Sequence, residues 1–244
     1  MSTVALPVTS ARQRTRADRR FYLTMALASA LVIVIGFSRS YYLKVYFPSA
    51  PALRLLVHLH AAVFTAWLIY FVTQTALVAA QRPALHRKLG LLGAALGSLM
   101  ILLGLLVAFS AMRLSHGTPI LSPEATFLVG LIDIFSFALF FILGWVRRRD
   151  REAHQRLMLL SVIGGLLGAA IGRIVGYGVS VPVVSAINLA FIFAGPVYDL
   201  ITRRRVHPVY LYGCLFLLIT FTPLRFPVGA SPQWHRIAHA LVGR

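Results

Sequence analysis

The sequence predicts an all-helical, polytopic membrane protein, and three observations point to that class. Hydrophobic residues make up 59% of the 244 residues and charged residues only 12%, against roughly 45–50% and 25% in ordinary globular chains. Long apolar runs alternate with short basic connections, as they do in multi-pass membrane proteins. The longest connection has only about 15 residues, which leaves no room for a soluble domain between the apolar runs.

Seven stretches are long enough to cross a bilayer, which requires about 20 mostly apolar residues in a helix. These predicted spans are 21–38, 53–80, 89–110, 125–146, 157–178, 183–201 and 209–228. The last is the weakest, because Pro223, Arg225 and Pro227 interrupt its apolar run. The sequence therefore predicts a bundle of seven transmembrane helices.

The basic residues predict how these spans are oriented. Of the 24 Lys and Arg, 16 lie in the N-terminal segment and the connections on its side, seven lie on the opposite side, and Arg173 lies inside a span. Positive residues collect on the cytoplasmic side, so the N-terminus is predicted inside and the C-terminus outside. The chain then divides into a basic cytoplasmic segment (1–20), a transmembrane domain (21–228) and an amphipathic exterior tail (229–244).

The exterior tail is predicted to form a short helix in the outer membrane interface. Ser231 is suited to cap a helix, and Pro232 is suited to its first position. Apolar residues then recur at helical spacing, opposite a face that carries histidine and arginine. The apolar positions are Trp234, Ile237, Ala238 and Leu241.

Several function classes are excluded by composition and motif content. The net charge of +18 is spread over short connections rather than one basic face, which argues against nucleic-acid binding. Cys214 is the only cysteine, so disulfide scaffolds and zinc ribbons are excluded. The sequence has no P-loop and no Gly-x-Ser-x-Gly motif. His235 and His239 have metal-ligand spacing but no third ligand nearby, so no metal site and no catalytic residue is assigned.

Glycines predict which helices lie at the centre of the bundle. Small residues spaced four apart allow two helices to approach closely inside a membrane. The fifth span carries such a stripe, consisting of Gly164, Gly168, Gly172 and Gly176. The third span carries a looser one, consisting of Gly90, Gly93, Gly97 and Gly104. We therefore expect the third and fifth spans at the centre.

Polar side chains inside the spans predict a ligand or charge cluster, because polar groups are costly in hydrocarbon and mark functional sites. The candidate members are His60, Gln74, Asp133, Arg173 and Asn188. Asp133 and Arg173 are the only opposite charges at their depth, so a buried ion pair between them is expected, with either a structural or a functional role. His60 shares one helix face with Phe64, Trp67, Phe71 and Gln74, and this face is expected to point into the bundle.

Three histidines open helices on the cytoplasmic side, each among arginines. They are His86, followed by Arg87, then His154 and His207. Each of these histidines, taken alone, is explained as a solvated side chain in the membrane interface. A basic cluster at this level could instead hold an anionic lipid head group, and paired histidines could hold a b haem.

The segment 55–180 resembles a family of uncharacterised bacterial multi-pass membrane proteins. The residues that carry the resemblance are His60, Gln74, Arg82 and Leu85–Gly90, then His154–Met158 and Arg173. The resemblance marks His60, Gln74, His86, Arg87, His154, Met158 and Arg173 and implies no established activity. It is consistent with a plasma membrane location in bacteria, which is the inner membrane.

A second resemblance, to cytochrome b561-type proteins, rests on His86 followed by Leu89 and Gly90. That family implies two b haems held by four buried histidines. This sequence departs from the pattern, because its in-span histidines, His58 and His60, share one helix. The leading interpretation is a haem- or quinone-linked membrane redox protein, or an accessory factor to one. The alternatives are a small-molecule transporter or sensor that uses the Asp-Arg-His cluster, and a helical scaffold without a ligand.

Overall fold

The computed structural model describes residues 11–47, 53–118, 121–221 and 225–243, and within these ranges the chain is helical without a β-strand. The helices are α1 (Ala11–Phe37), α2 (Leu55–Ala79), α3 (Pro83–Lys88), α4 (Gly90–Arg113), α5 (Pro123–Val146), α6 (Arg151–Val162), α7 (Gly168–Val175), α8 (Val181–Arg203), α9 (Pro208–Phe221), α10 (Arg225–Gly229) and α11 (Pro232–Leu241). We call the end of the bundle at which α5 begins the outer end, and the end at which α6 begins the inner end.

Six helices in the described ranges are long and apolar enough to cross a membrane, which confirms a multi-pass membrane protein. They are Thr15–Tyr42, Leu55–Ala79, Gly90–Arg113, Pro123–Val146, Arg151–Val175 and Val181–Arg203. The fifth is composite, because a π-helical turn at Ile163–Leu167 joins α6 to α7. The first begins within the basic segment, so α1 extends further toward the N-terminus than predicted.

The predicted seventh span, 209–228, is divided into two helices. α9 has 14 residues and ends at Phe221, and α10 begins at Arg225. Fourteen residues rise about 21 Å, less than the ~30 Å of hydrocarbon in a bilayer. The sequence has prolines at 223 and 227, and proline lacks the N–H that a continuous helix needs.

The fifth span is the central helix, as its glycines predict, but the third is not. In the apolar stretch of the fifth span 61% of the residues are buried, whereas in α4, which is the third span, 28% are buried. α4 buries one face only: Gly93 packs against Tyr70, and Gly97 packs against Phe141. Its other face exposes leucines such as Leu91. Glycine spacing thus locates a packed face of α4 without making the helix central.

The glycine stripe of the fifth span packs over only part of its length. Gly164 lies against Leu217 and Ser136, and Gly168 lies against the ring of Phe221. A Cβ added at Gly172, in contrast, would meet no atom within 4 Å. The outer part of the stripe therefore borders open space rather than another helix.

The C-terminal helix forms with the predicted cap but packs differently from the prediction. Ser231 Oγ accepts a hydrogen bond of 3.2 Å from the backbone N–H of Trp234. The Trp234 indole N–H donates to the carbonyl of Glu124 at 2.7 Å, and Ala238 is fully buried. Ile237 is 52% exposed. α11 is therefore held against the outer end of α5 by only part of its apolar face.

Candidate functional site

Asp133 and Arg225 form a loose ion pair in the outer half of the bundle. Asp133 lies on the buried face of α5 and is only 5% exposed, and the side chain of Arg225 is 14% exposed. Asp133 Oδ1 and Arg225 Nη1 are 3.7 Å apart, which is beyond hydrogen-bond distance. These two atoms and Arg225 Nε are buried without a hydrogen-bond partner among the described residues. The pair therefore keeps unused hydrogen-bonding capacity.

Arg173 does not form the predicted ion pair with Asp133. Its Nη1 donates a hydrogen bond of 2.8 Å to the carbonyl of Ala169, one turn earlier in the same helix. Its guanidinium lies 4.2 Å from the ring centroid of Phe37. Arg225, rather than Arg173, is therefore the arginine in contact with Asp133.

His60 faces the interior of the bundle, and the helix face predicted to carry it is buried. Its ring lies 4.0 Å from that of Phe64, and it approaches the backbone of Leu103 on α4. Further along the same face, Trp67 and Phe71 are buried. His60 Nδ1 has no hydrogen-bond partner within the described ranges. We call His60, Asp133, Arg173 and Arg225 the outer cluster.

Asn188 and Gln74 are the other two residues of the predicted cluster. Asn188 is half-buried on α8, and its side-chain oxygen has no hydrogen-bond partner among the described residues. Gln74 is fourteen residues beyond His60 on α2, a rise of about 21 Å, and lies at the inner end. The face that these two α2 residues share extends along the bundle and does not form one site.

The sequence reasoning missed Arg225 as a site residue. The signal was present, because Arg225 interrupts the apolar run 209–228. The interruption alone predicts only a weak seventh span. In the structure the guanidinium lies 5.0 Å from the ring centroid of Phe221 and 5.6 Å from that of Phe226. These rings cover the charge beside Asp133.

His86 and His154 come together at the inner end, and we call them the inner pair. Their ring centroids are 6.2 Å apart, with the ring planes inclined at 75°. Pro83 begins the short helix α3 that carries His86, and α6 carries His154. His154 Nδ1 lies 2.8 Å from the carbonyl oxygen of Gly144. A carbonyl only accepts, so Nδ1 carries the proton and Nε2 keeps its lone pair.

Gln74 adds unused hydrogen-bonding capacity beside the inner pair. It is 6% exposed, and both its amide oxygen and its amide nitrogen are buried without a hydrogen-bond partner in the described part of the chain. His86 approaches the backbone of Gln74, and His86 Nδ1 is also buried without a partner there. Burial, followed by the neighbouring His154, lowers the pKa of His86 below its ordinary value. These groups can hydrogen-bond a polar ligand.

The other two residues predicted for this inner site, Arg87 and His207, do not join the inner pair. Arg87 is exposed on α3, one residue after His86. The His207 backbone N–H donates to Asp199 at 3.1 Å, and its Nδ1 accepts a hydrogen bond from the N–H of Val209. Burial and then the charge of Arg156 lower the pKa of His207. His207 therefore helps to begin α9 and belongs to a different set of contacts.

Those contacts centre on a buried charge network that the sequence did not predict. Arg156 and Asp199 have fully buried side chains and form two hydrogen bonds, of 3.0 and 2.6 Å. Arg156 also donates to Glu152 at 2.6 Å, and Arg203 pairs with Asp18 at 2.8 Å. The sequence places Arg156 directly before the fifth predicted span, in a run that also contains Arg151. Arg156 lies on the buried face of α6 with Ala153 and Leu160, and this packing excludes it from water.

A groove of about 550 Å³ lies near the inner end, between α5, α6 and α9. Its walls are apolar and include Leu143, Leu157 and Phe216. Arg147, Asp150 and His207 line the same groove. The groove therefore combines apolar walls with one basic and one acidic side chain and a histidine.

Within the described ranges, no three His, Cys, Asp or Glu side chains come together in a way that could hold a metal ion. Comparison with family models, with curated proteins and with solved structures finds no match to this chain.

Proposed function

We propose that this protein is a haem-linked membrane redox protein, or an accessory factor to one, with a single b haem held by His86 and His154. The 6.2 Å separation of the two ring centroids carries this proposal. Imidazole nitrogen bonds to a metal are about 2 Å long. His86 and His154 are therefore close enough that both would be able to hold one iron atom.

The surroundings of the inner pair support this assignment. A histidine ligand usually donates its second ring nitrogen to a carbonyl or carboxylate, as His154 does with Gly144. Arg87 and Lys88 are exposed cations next to His86 and can neutralise acidic groups of a cofactor. When bound, haem supplies reversible one-electron transfer. The chain's own residues orient the ligating nitrogens and limit access of water.

One haem, rather than the two that the b561 resemblance implies, agrees with the arrangement of the histidines. His58 is exposed beside Tyr41, whereas His60 faces Phe64 and α4. A second pair would need two rings at one depth on facing helices. A quinone-linked protein is the second form of the redox proposal. Gln74 and the inner pair can hydrogen-bond the carbonyl oxygens of a quinone.

Absorbance spectroscopy tests the haem assignment. Purified protein, expressed with ample haem, should show a Soret band and, after dithionite reduction, sharp α and β bands. His86→Ala and His154→Ala should each abolish these bands, whereas His207→Ala and His58→Ala should retain them. A colourless wild-type protein would overturn the haem form. The quinone form would then be supported if quinone is extracted from the wild-type protein and no quinone is extracted from the Gln74→Ala variant.

A second candidate function is a small-molecule transporter or sensor. The observation that favours it is the outer cluster, in which Asp133 and Arg225 lie 3.7 Å apart with unused hydrogen-bonding atoms. A purely structural clamp would be expected to close that distance, because buried charges are stable only when well paired. A helical scaffold without any ligand is the remaining alternative. It predicts no haem absorbance bands and no binding of a small molecule.

We further propose seven membrane passes, with the N-terminus in the cytoplasm and the C-terminus outside, in the inner membrane of a bacterium. The excess of Lys and Arg on one side supports the orientation. An anionic lipid is the proposed partner at the cytoplasmic face, where the groove has Arg147 in its lining.

A further inference from the structure

The groove between α5, α6 and α9 has its charged residues and its histidine at one end. Arg147 directly follows α5, Asp150 directly precedes α6, and His207 directly precedes α9. Most of the other lining residues are apolar side chains of the helices, such as Phe216 and Leu139. Leu139 lies about 12 Å from Arg147 along the chain of α5. The groove is therefore polar at the inner end of the bundle and apolar where the helices continue into hydrocarbon.

The groove opens toward the surrounding lipid. Leu143 on α5 and Tyr212 on α9 are both exposed, and both lie in its walls. Leu157, which is buried, lies between them on α6. Apolar side chains that are exposed on membrane helices face acyl chains. A lipid molecule can therefore enter the groove from the side without displacing a helix.

The two charged residues of the groove balance each other. The backbone N–H of Asp150 donates to the carbonyl of Arg147 at 2.9 Å, so one tight turn carries both side chains. Among the described residues, the ion pairs do not include one between Arg147 and Asp150. His207 adds no net charge, because its Nδ1 accepts a hydrogen bond of 3.1 Å from Val209 and its proton is therefore on Nε2. The groove thus offers one cation, one anion and one neutral donor.

We propose that this groove binds one molecule of phosphatidylethanolamine, with its phosphate at Arg147 and its ammonium group at Asp150. The head group of this lipid carries one negative and one positive charge, joined by a short ethylene link. It therefore matches the two side chains without leaving an uncompensated charge. The guanidinium forms charge-assisted hydrogen bonds with phosphate oxygens, and Nε2–H of His207 is a further donor. An acyl chain lies along the apolar walls.

The carboxylate of Asp150 distinguishes this lipid from other common phospholipids. Its Oδ1 accepts the N–H of Ala153 at 3.1 Å, and the two oxygens of a carboxylate accept about four hydrogen bonds, so it retains capacity for an ammonium group. A choline group has no N–H to donate, and phosphatidylglycerol has no positive charge to place beside the carboxylate. The anionic lipid proposed above is expected at exposed arginines outside the lining, such as Arg149 and Arg151.

Native mass spectrometry of the purified full-length protein tests the site with phosphatidylethanolamine, phosphatidylcholine and phosphatidylglycerol that have identical acyl chains. Wild-type protein should bind one phosphatidylethanolamine about tenfold more tightly than either other lipid, because a hydrogen bond to a charged group contributes about that factor. Arg147→Gln should weaken binding of all three lipids about tenfold. Asp150→Asn should weaken phosphatidylethanolamine binding and strengthen phosphatidylglycerol binding, since asparagine still caps α6 but carries no charge. Arg149→Gln, which changes an exposed arginine outside the lining, should leave binding unchanged.

Four results would each overturn the assignment. They are equal binding of the three lipids by the wild type, a wild-type preference for phosphatidylglycerol, an unchanged preference in Asp150→Asn, and equal effects of Arg149→Gln and Arg147→Gln. Equal binding of the three lipids would show that the apolar walls act without the head group. A gain in phosphatidylglycerol binding does not arise from a folding defect, so the Asp150→Asn variant decides the test even if another variant is unstable.

Discussion

At the scale of single residues, burial separates charges that the sequence alone ranks alike. Arg156 and Arg151 both belong to the basic run before the fifth span, yet Arg156 is completely buried and Arg151 is exposed. The difference arises because α6 packs against α1, α5 and α9, and the Arg156 side chain points toward Asp199 on α8. Sequence position specifies the depth of a residue along a helix. It does not specify the partner across the bundle.

Removing Asp199 is expected to destabilise the protein strongly. Asp199→Ala would leave the fully buried Arg156 without its main counter-charge, which typically costs about 3–5 kcal/mol. Thermal unfolding in detergent should show a large fall in Tm. Glu152→Ala is the matched control, because Glu152 also pairs with Arg156 but has a side chain that is 46% exposed. A Tm for Asp199→Ala equal to that of Glu152→Ala would contradict this role for the pair.

At the scale of elements, the sequence predicted six of the helices well because each depends mainly on its own composition. The apolar runs and the Ser231–Pro232 start of α11 are local signals. Contacts between helices depend on which faces meet, and here the predictions were only partly right. Gly164 and Gly168 pack as expected, whereas Gly172 does not. Close contact is instead found at Gly36, which no repeated spacing marks.

Gly36→Ala is expected to separate α1 from α7. An added Cβ would overlap the backbone of Ala170, and backbone atoms cannot turn away as a side chain can. Overpacking of this kind costs about 1–3 kcal/mol, so Tm should fall. Gly172→Ala is the matched control on the same helix pair, and it should leave Tm nearly unchanged. Equal effects of the two substitutions would exclude close packing at Gly36.

At the scale of the whole molecule, the candidate polar groups divide between two ends. His60, Asp133, Arg173 and Arg225 lie toward the outer end of their helices. Gln74, which lies beside the inner pair, is about four helical turns from His60 along α2. The sequence predicted most of these residues, since polar groups in apolar runs are conspicuous. It could not predict their grouping. The partner of Asp133 comes from α10, more than ninety residues later, and that contact depends on the complete bundle.

The path of the chain after α8 predicts an exterior C-terminus. α9 begins at the inner end, where the His207 backbone N–H bonds Asp199, and α10 brings Arg225 to Asp133 in the outer half. α11 then lies against Glu124, at the start of α5. The chain therefore passes from one end of the bundle to the other once more after the six long spans, although α9 itself has only 14 residues. A seventh crossing follows if both ends reach the membrane surfaces.

Reporter fusions decide this topology. Alkaline phosphatase is active only outside the cytoplasm, and green fluorescent protein exported in unfolded form fluoresces only inside it. We expect phosphatase activity for a fusion after Arg244 and for an insertion at Ser115, between α4 and α5, and fluorescence for an insertion at Arg149, between α5 and α6. A fluorescent fusion at Arg244, combined with phosphatase activity at Ser115, would establish an even number of crossings. In that case α9 would enter the membrane without traversing it.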